Sequence, residues 1–344
     1  NTYSFAAAEV VVPHVLGTFR GFIDTSTSWA SIASDCELFV AFGGVPLKNG
    51  QISQGGTGAH VQRAGVSAAH KAGVRFVNIS PLRSDLMEEV EAEWLAPRPS
   101  SDTALMLGLM HTLLAEELHD EAFLDRYTVG FERFATYLNG EEDGIAKTAD
   151  WAADICALPA DTIRDLARRM AKSRTMISVA WALTRQDHGE QPFWAAITLA
   201  AMLGQLGLPG TGLGFGYSAM NNIGLNRQQL DFASFPQGKN PVKDFIPVAR
   251  VTDLLENPGG RFDYDGQSYA YPDIRLIWWA GGNPFHHHQD LNRLRRAWAK
   301  PETIIANEWC WNALAKHADI VLPCTTPLEG TVRLNSVEAS RVVS

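Results

Sequence analysis

The sequence predicts an α/β protein made of two doubly wound units with mostly parallel sheets. Three observations carry that expectation. Short apolar runs alternate with longer helical patterns along the 344 residues. The runs are continuous rather than alternating, as strands buried on both faces of a parallel sheet require. Each run ends in Gly, Pro or a polar cluster, the punctuation of a strand turning into a loop.

Six runs read as strands: ELFVAFGGVP (37–46), VRFVNISPL (74–82), the start of TMISVAWALTR (175–185), IRLIWWAGGNP (274–284), ETIIANEW (302–309) and ADIVLP (318–323). Helical patterns lie between them. DTALMLGLMHTLLAEEL (102–118) has apolar residues at helical spacing behind Ser100, Ser101 and Asp102 as candidate caps. ADTIRDLARRMAK (160–172) is amphipathic, with Asp161 as its expected cap. Residues 189–205 read as a buried helix and 287–298 as a shorter one. Residues 207–245 are glycine-rich and weakly periodic, which reads as a functional loop or a connection. Strand–helix–strand repetition gives two Rossmann-like αβα units. The expected boundary lies near residue 190: a first α/β cofactor-binding domain over 1–190, a second, partial dinucleotide-binding domain over 191–330, and a tail over 331–344.

Composition narrows the function classes. The net charge is −9, with acids and bases mixed. No basic stripe alternates with aromatics, which argues against a nucleic-acid partner. No apolar run reaches the ~18 residues of a membrane helix. The cysteines, Cys36, Cys156, Cys310 and Cys324, form no CxxC pair. That spacing signals neither structural zinc nor an iron–sulfur cluster, and all four read as buried apolar thiols.

In open α/β sheets ligands sit beyond the carboxyl ends of the strands. The residues there are Lys48 and Asn49; Ser80, Pro81 and Arg83; Trp181, Thr184 and Arg185; Asn283 and three histidines; Asn307 and Glu308. Cations suit phosphates and carboxylates suit base or ribose groups, so a large polar ligand is expected. Yet no GxGxxG follows a strand and opens a helix, and no P-loop occurs. Three consecutive histidines, His286–His288, look like a metal site. Adjacent side chains of one turn diverge, however, and rarely share an ion. Residues alone stop at two α/β units with polar strand ends.

The segments GGNPFHHHQDLNR (281–293), HADIVLPCTTPLE (317–329), MISVAWALTRQDHGEQ (176–191), MLGLMHTLLAEEL (106–118) and PVARVTDLLENPG (247–259) resemble the molybdopterin oxidoreductases of the dimethyl-sulfoxide reductase family. QGKNPVKDFIPVAR (237–250) places the likeness nearest the biotin sulfoxide and trimethylamine N-oxide reductases. The resemblance runs from residue 1 to about 329. It implies a molybdenum atom held by two molybdopterin guanine dinucleotides, with no iron–sulfur cluster in this segment. It implies reduction of a small-molecule S-oxide or N-oxide (a biotin, methionine or dimethyl sulfoxide, or trimethylamine N-oxide) by oxygen-atom transfer. Electrons come from a cytochrome, thioredoxin-like or NADPH-linked donor, in a bacterial cytoplasm or periplasm.

The resemblance also assigns residues. In this branch the protein ligand to molybdenum is a serine in a YSxAAA segment; here the segment is TYSFAAAEV (2–10) and the residue is Ser4. An alkoxide is a hard oxygen donor and suits high-valent molybdenum. A Ser opening a helix at 5–12 also reads as an ordinary helix cap. Lys48 and Asn49 fall where the family binds a dinucleotide phosphate, although the second position is often Thr. Ile79 and Ser80 take the next strand end. Ser100, Ser101 and Asp102 match a guanosine-binding turn. Trp181, Ala182 and Arg185 match cofactor contacts. Asn283 and His287 fall on the NPFxHH motif, and Asn307 and Glu308 on a further nucleotide contact, where an acid accepts from guanine. His188 reads either as lining the substrate pocket or as structural.

Two departures set limits. After Glu329 the family's Arg is replaced by Gly330, and GTVRLNSVEASRVVS no longer resembles the family. The chain also starts mid-pattern at Asn1, so it reads as an internal segment, one expected to be inactive alone and to expose apolar faces. A non-catalytic scaffold subunit of the same fold is the alternative. Retention of Ser4, Arg185, Asn283 and His287 together favours the enzyme. An NAD-dependent dehydrogenase lacks its fingerprint.

Overall fold

A computed structural model describes residues 4–51, 60–217, 219–220, 223–225, 228–229, 236, 238–242, 245–326, 328–329 and 340–341. The chain folds as two compact units, the first made of Tyr3–Ala233 with Ser336–Ser344 and the second running Ser234–Asn335.

The first unit is built on a five-stranded sheet in the order β3-β2-β1-β4-β5. Its strands are β1 (Leu38–Phe42), β2 (Arg75–Ile79), β3 (Glu93–Leu95), β4 (Thr175–Val179) and β5 (Gly212–Phe215). Every pairing is parallel. All residues of β1 and β4 are buried, which explains why LFVAF and TMISV are continuous rather than alternating. Between β3 and β4 the chain makes the helices α1 (Asp102–Ala115), α2 (Ala149–Cys156) and α3 (Ala160–Lys172). Helix α1 is buried nearly all round and packs on α2, α3 and the later α4 (Gln191–Met202). One core joins the strands to these helices.

Several expectations change here. The boundary near 190 falls inside the first unit. The reason is pairing: β5 adds to β4 with Met176 opposite Gly212, so 191–211 is the crossover that carries α4. The glycine-rich start of 207–245 is therefore a strand. Its glycines make room for aromatics, since a Cβ on Gly214 would lie 2.1 Å from the Tyr217 ring and one on Gly216 2.0 Å from Trp181 Nε1. Much of 218–244 lies outside the described residues, as do 52–59, with their GGTG cluster, and 330–339.

Asp161 does not cap α3. Pro159 is the cap residue, and Asp161, one position inside the helix, pairs with Arg164 at 2.9 Å. Ser101 caps α1 without a side-chain bond to the helix, because its hydroxyl donates to Arg98 O at 2.6 Å instead. Cys36 and Cys156 are buried, but Cys310 and Cys324 are exposed in loops after strands of the second unit.

The second unit contains a parallel sheet of β8 (Leu276–Ala280), β9 (Thr303–Glu308) and β10 (Ile320–Pro323), with β9 central, and an antiparallel ribbon of β6 (Arg261–Tyr264) and β7 (Gln267–Ala270). Its core gathers Phe285, Leu294, Trp298, Ile304 and Leu314. Here IRLIWWA is not buried on both faces. Leu276 and Trp278 are 54% and 61% exposed while Ile277 and Trp279 pack on the core, so the run is buried on one face only. The helical pattern over 287–298 breaks in two, Pro284–His287 and Leu291–Trp298, where Asp290 takes a left-handed turn (φ 47°) and caps the second helix through Arg293 N.

Candidate functional site

In the first unit, β1 is flanked by β2 on one side and β4 on the other. The chain order reverses there, so the crevice for a ligand opens beyond the carboxyl ends of β1 and β4. Two glycines end β1. Gly43 (φ 84°) and Gly44 (φ 72°) are left-handed, and added Cβ atoms would sit 2.6 Å from Ala180 Cβ and 2.6 Å from the Asp85 backbone oxygen. Only glycine lets this strand end pass between its neighbours.

Beyond β4, residues Trp181–Thr184 make a single 3₁₀ turn. Ser4 meets this turn. Its carbonyl accepts from the Thr184 hydroxyl at 2.7 Å and from Arg185 Nε at 3.1 Å. The neighbouring Phe5 ring packs edge-on against Trp181, with centroids 4.5 Å apart, and stacks on Phe19 at 5.5 Å. The helix that follows, Ala6–Leu16, has Phe5 as its cap residue and no side-chain cap bond. Ser4 is left-handed (φ 49°) and exposed. Phe5 holds the cap position of that helix, and the Ser4 side chain makes no bond to its first turn. The indole Nε1 of Trp181 is buried without a hydrogen-bond partner among the described residues. Ala182, next to it, is exposed. His188 is left-handed and projects outward, 3.6 Å from Glu190.

At the ends of β1 and β2 a second group forms. Lys48 and Asn49 lie in a short 3₁₀ turn, both exposed. Lys48 Nζ stands 3.5 Å from Asp85 Oδ1, and the buried Ser80 hydroxyl donates to Asp85 Oδ2 at 2.7 Å. Asp85 also accepts from Val45 N through its carbonyl. Ile79 is fully buried and faces the core, and its carbonyl accepts from Gly43 N at 2.8 Å. The Ser80 carbonyl accepts from Trp94 Nε1 at 2.8 Å.

Ser100 (φ 67°), Ser101 and Asp102 form the turn into α1. Asp102 is buried at the first helical position, and desolvation pushes its carboxyl up to about 6. A carboxyl there carries a proton far more readily than an ordinary aspartate.

The second unit has its own strand-end group. Gly281 (φ 77°) and Gly282 (φ 68°) turn the chain after β8 with open space around them. Asn283 Oδ1 caps the short helix by accepting from Phe285 N at 3.0 Å, and its buried Nδ2 has no partner among the described residues. His286 and His287 are exposed at the end of that helix, and His288 is buried behind them. Among the described residues no three His, Cys, Asp or Glu side chains converge on one point. Asn307 pairs in register with Ala280, and its Oδ1 accepts from Trp278 Nε1 at 2.5 Å. Glu308 ends β9 and is buried. No helix among the described residues is long and apolar enough to cross a membrane.

The predicted residues thus gather at strand ends, in separate groups of each unit. Sequence reasoning named Thr184 as a strand-end group without its partner, and missed Asp85. Thr184 sits inside the quoted run WALTR, but its partner lies 180 positions away. Asp85 follows a Ser-Pro turn and carries no motif of its own.

A molybdopterin oxidoreductase family model matches residues 15–332. The chain is 46% identical over 329 residues to a biotin sulfoxide reductase of Cereibacter sphaeroides, covering 96% of this chain and 44% of that protein. It is 42% identical over 337 residues to a dimethyl sulfoxide/trimethylamine N-oxide reductase of Rhodobacter capsulatus (95% and 41%), and 41% identical over 347 residues to a trimethylamine-N-oxide reductase of Haemophilus influenzae (95% and 41%). It spans less than half the length of these relatives. Among solved structures, acetylene hydratase from Pelobacter acetylenicus aligns with a TM-score of 0.57 at 17% identity, covering 96% of this chain and 47% of that one, which is a likeness of fold. Parallel α/β units, polar groups at the strand ends and a family match over almost the whole length agree: the chain belongs to the molybdopterin oxidoreductase family.

Proposed function

We propose that this chain is the cofactor-cradling part of a molybdenum oxidoreductase that reduces a small S-oxide or N-oxide. The observation that carries the reading is Ser4: its backbone is held by Thr184 and Arg185, and its hydroxyl stands exposed rather than capping the helix behind it. A hard oxygen donor presented at the switch point of a parallel sheet suits a high-valent metal.

The residues present fit a molybdenum bound by two molybdopterin guanine dinucleotides. Among the described residues Trp181 Nε1 and Asn283 Nδ2 are buried donors without partners, so each has a hydrogen bond to give a polar ligand. Lys48, Asn49, Ser80 and Arg185 offer donors to phosphate or pterin oxygens at the first unit's strand ends; Ile79 contributes through its place beside Gly43. Asp102, with Ser100 and Ser101, and Glu308, with Asn307, are carboxyls placed to accept from a guanine edge. In the second unit, Asn283 and His287 with the turn at Gly281–Gly282 offer polar groups of that unit's own to a dinucleotide. The groups of each unit would orient the part of the cofactor that they hold, and Ser4 would anchor the metal. When bound, the molybdenum supplies oxygen-atom abstraction from the S- or N-oxide, and an electron donor (a cytochrome, a thioredoxin-like protein or an NADPH-linked reductase) restores it.

The test uses the full-length protein and its Ser4→Ala variant. Elemental analysis of the wild type should find molybdenum, and sulfoxide reduction should be lost in the variant. A wild type without molybdenum would favour the scaffold reading, and an equally active variant would remove Ser4 from the metal.

A further inference from the structure

We infer that Thr184 is a positioning residue for Ser4. Its hydroxyl holds the Ser4 backbone in the left-handed conformation in which this residue stands exposed. The inference rests on the reading of Ser4 as the protein ligand to the metal.

Ser4 has two local options. Turned toward the helix Ala6–Leu16, its hydroxyl would cap the first turn in place of Phe5, the ordinary use of a serine just before a helix. As observed it is left-handed, a conformation that non-glycine residues avoid unless their surroundings impose it. The imposing groups are the Thr184 hydroxyl, 2.7 Å from the Ser4 carbonyl, and Arg185 Nε, 3.1 Å from the same oxygen. Arg185 is exposed, whereas Thr184 is fully buried. A buried hydroxyl must keep its hydrogen bond, and this one has two acceptors: Ser4 O, and Trp181 O at 2.8 Å. The two carbonyls share that one proton, with Ser4 O the nearer at 2.7 Å, so the Thr184 hydroxyl lies between the segment carrying Ser4 and the turn carrying Trp181. A Cβ on Gly189 would lie 2.0 Å from the Thr184 carbonyl oxygen, so the chain closes over Thr184 with room only for glycine. The Phe5–Trp181 ring contact fixes the other side of the serine.

Without the hydroxyl, Arg185 alone holds the carbonyl, and Ser4 gains the capping conformation as an alternative. A fraction of molecules then presents no serine oxygen to the metal.

The experiment uses the full-length protein, with Thr184→Val (same shape, no hydroxyl), Thr184→Ala (in case the extra methyl prevents folding), Thr184→Ser (hydroxyl kept) and Ser4→Ala. In the cofactor-free form, amide exchange of the peptide covering residues 5–9 should speed up about fivefold to tenfold in Thr184→Val and Thr184→Ala, as loss of one buried hydrogen bond predicts, and return to wild type in Thr184→Ser. In the loaded, partly reduced form, the same two variants should add a second molybdenum(V) paramagnetic signal that coincides with that of Ser4→Ala. Wild-type exchange, or a single wild-type signal, in both hydroxyl-free variants overturns the inference while leaving Ser4 as ligand. A Ser4→Ala signal identical to wild type overturns the ligand reading itself, and the positioning role with it.

Discussion

Arg185 Nε donates to the carbonyl of Ser4 over 3.1 Å, across 181 positions of sequence. A guanidinium that holds a backbone oxygen leaves the serine side chain free of that contact. Ser4→Ala should therefore change unfolding stability by less than about 0.5 kcal/mol, the range of an exposed substitution away from structural contacts. Denaturant unfolding of the 344-residue chain measures it; a loss above 1–2 kcal/mol would mean that the hydroxyl has a structural partner.

Gly43 and Gly17 are both left-handed, but only Gly43 is crowded. Gly17→Ala meets nothing within 4 Å and should cost about 1 kcal/mol for the backbone alone. Gly43→Ala adds a clash with Ala180 and Leu183 and should cost 1–3 kcal/mol more, by the usual penalty of overpacking. Equal shifts in thermal midpoint for the two variants would mean that the end of β1 relaxes freely.

Asp102 makes stability depend on pH. Burial raises its carboxyl from 3.8 to about 6 in the folded chain. The unfolded chain therefore ionises first, and stability falls as pH rises from about 4 through 6. The loss is on the order of 3 kcal/mol at neutral pH. Asp102→Asn should remove that slope, so its advantage over wild type grows between pH 4 and 7. Parallel stability curves for the two proteins would exclude the effect.

Lys147 is a buried ammonium. It pairs with Asp143 at 2.7 Å and lies 4.3 Å from the centre of the Tyr137 ring. Lys147→Ala should cost about 2–4 kcal/mol, combining lost packing with lost ion-pair and ring contacts. Because the charge is buried, the cost should hardly change between low and high salt. A cost that vanishes in 1 M salt would contradict the caged arrangement.

Leu276, Trp278, Ile320 and Leu322 leave apolar side chains exposed on the second unit's sheet. The isolated chain should self-associate, and Leu276→Thr with Ile320→Thr should reduce that without loss of fold, since both positions face solvent in β-strands. Light scattering at matched concentration decides; unchanged association in the double variant would place the sticky surface elsewhere.

Much was legible in the sequence because burial writes itself into strand composition. LFVAF and TMISV are buried on both faces and read without ambiguity, and ADTIRDLARRMAK shows one apolar stripe, which is α3 to the residue. IRLIWWA read the same way and was half wrong, because an apolar run does not record which of its faces the fold covers: Ile277 and Trp279 pack on the core while Leu276 and Trp278 are exposed. The strand GLGF went unseen because its glycines serve neighbouring aromatics and carry no strand signal of their own.

The sequence by itself determined the fold class, the family and which strand ends carry polar groups, since local periodicity and long motifs need no partner to be read. Only the tertiary structure decided how those groups stand. It turned Ser4 away from its helix, gave its carbonyl to Thr184 and Arg185, and tied Lys48 and Ser80 to Asp85. The physical reason is range: a hydrogen bond fixes two groups within 3 Å or so whatever their separation along the chain, and no pattern in a linear sequence records that meeting.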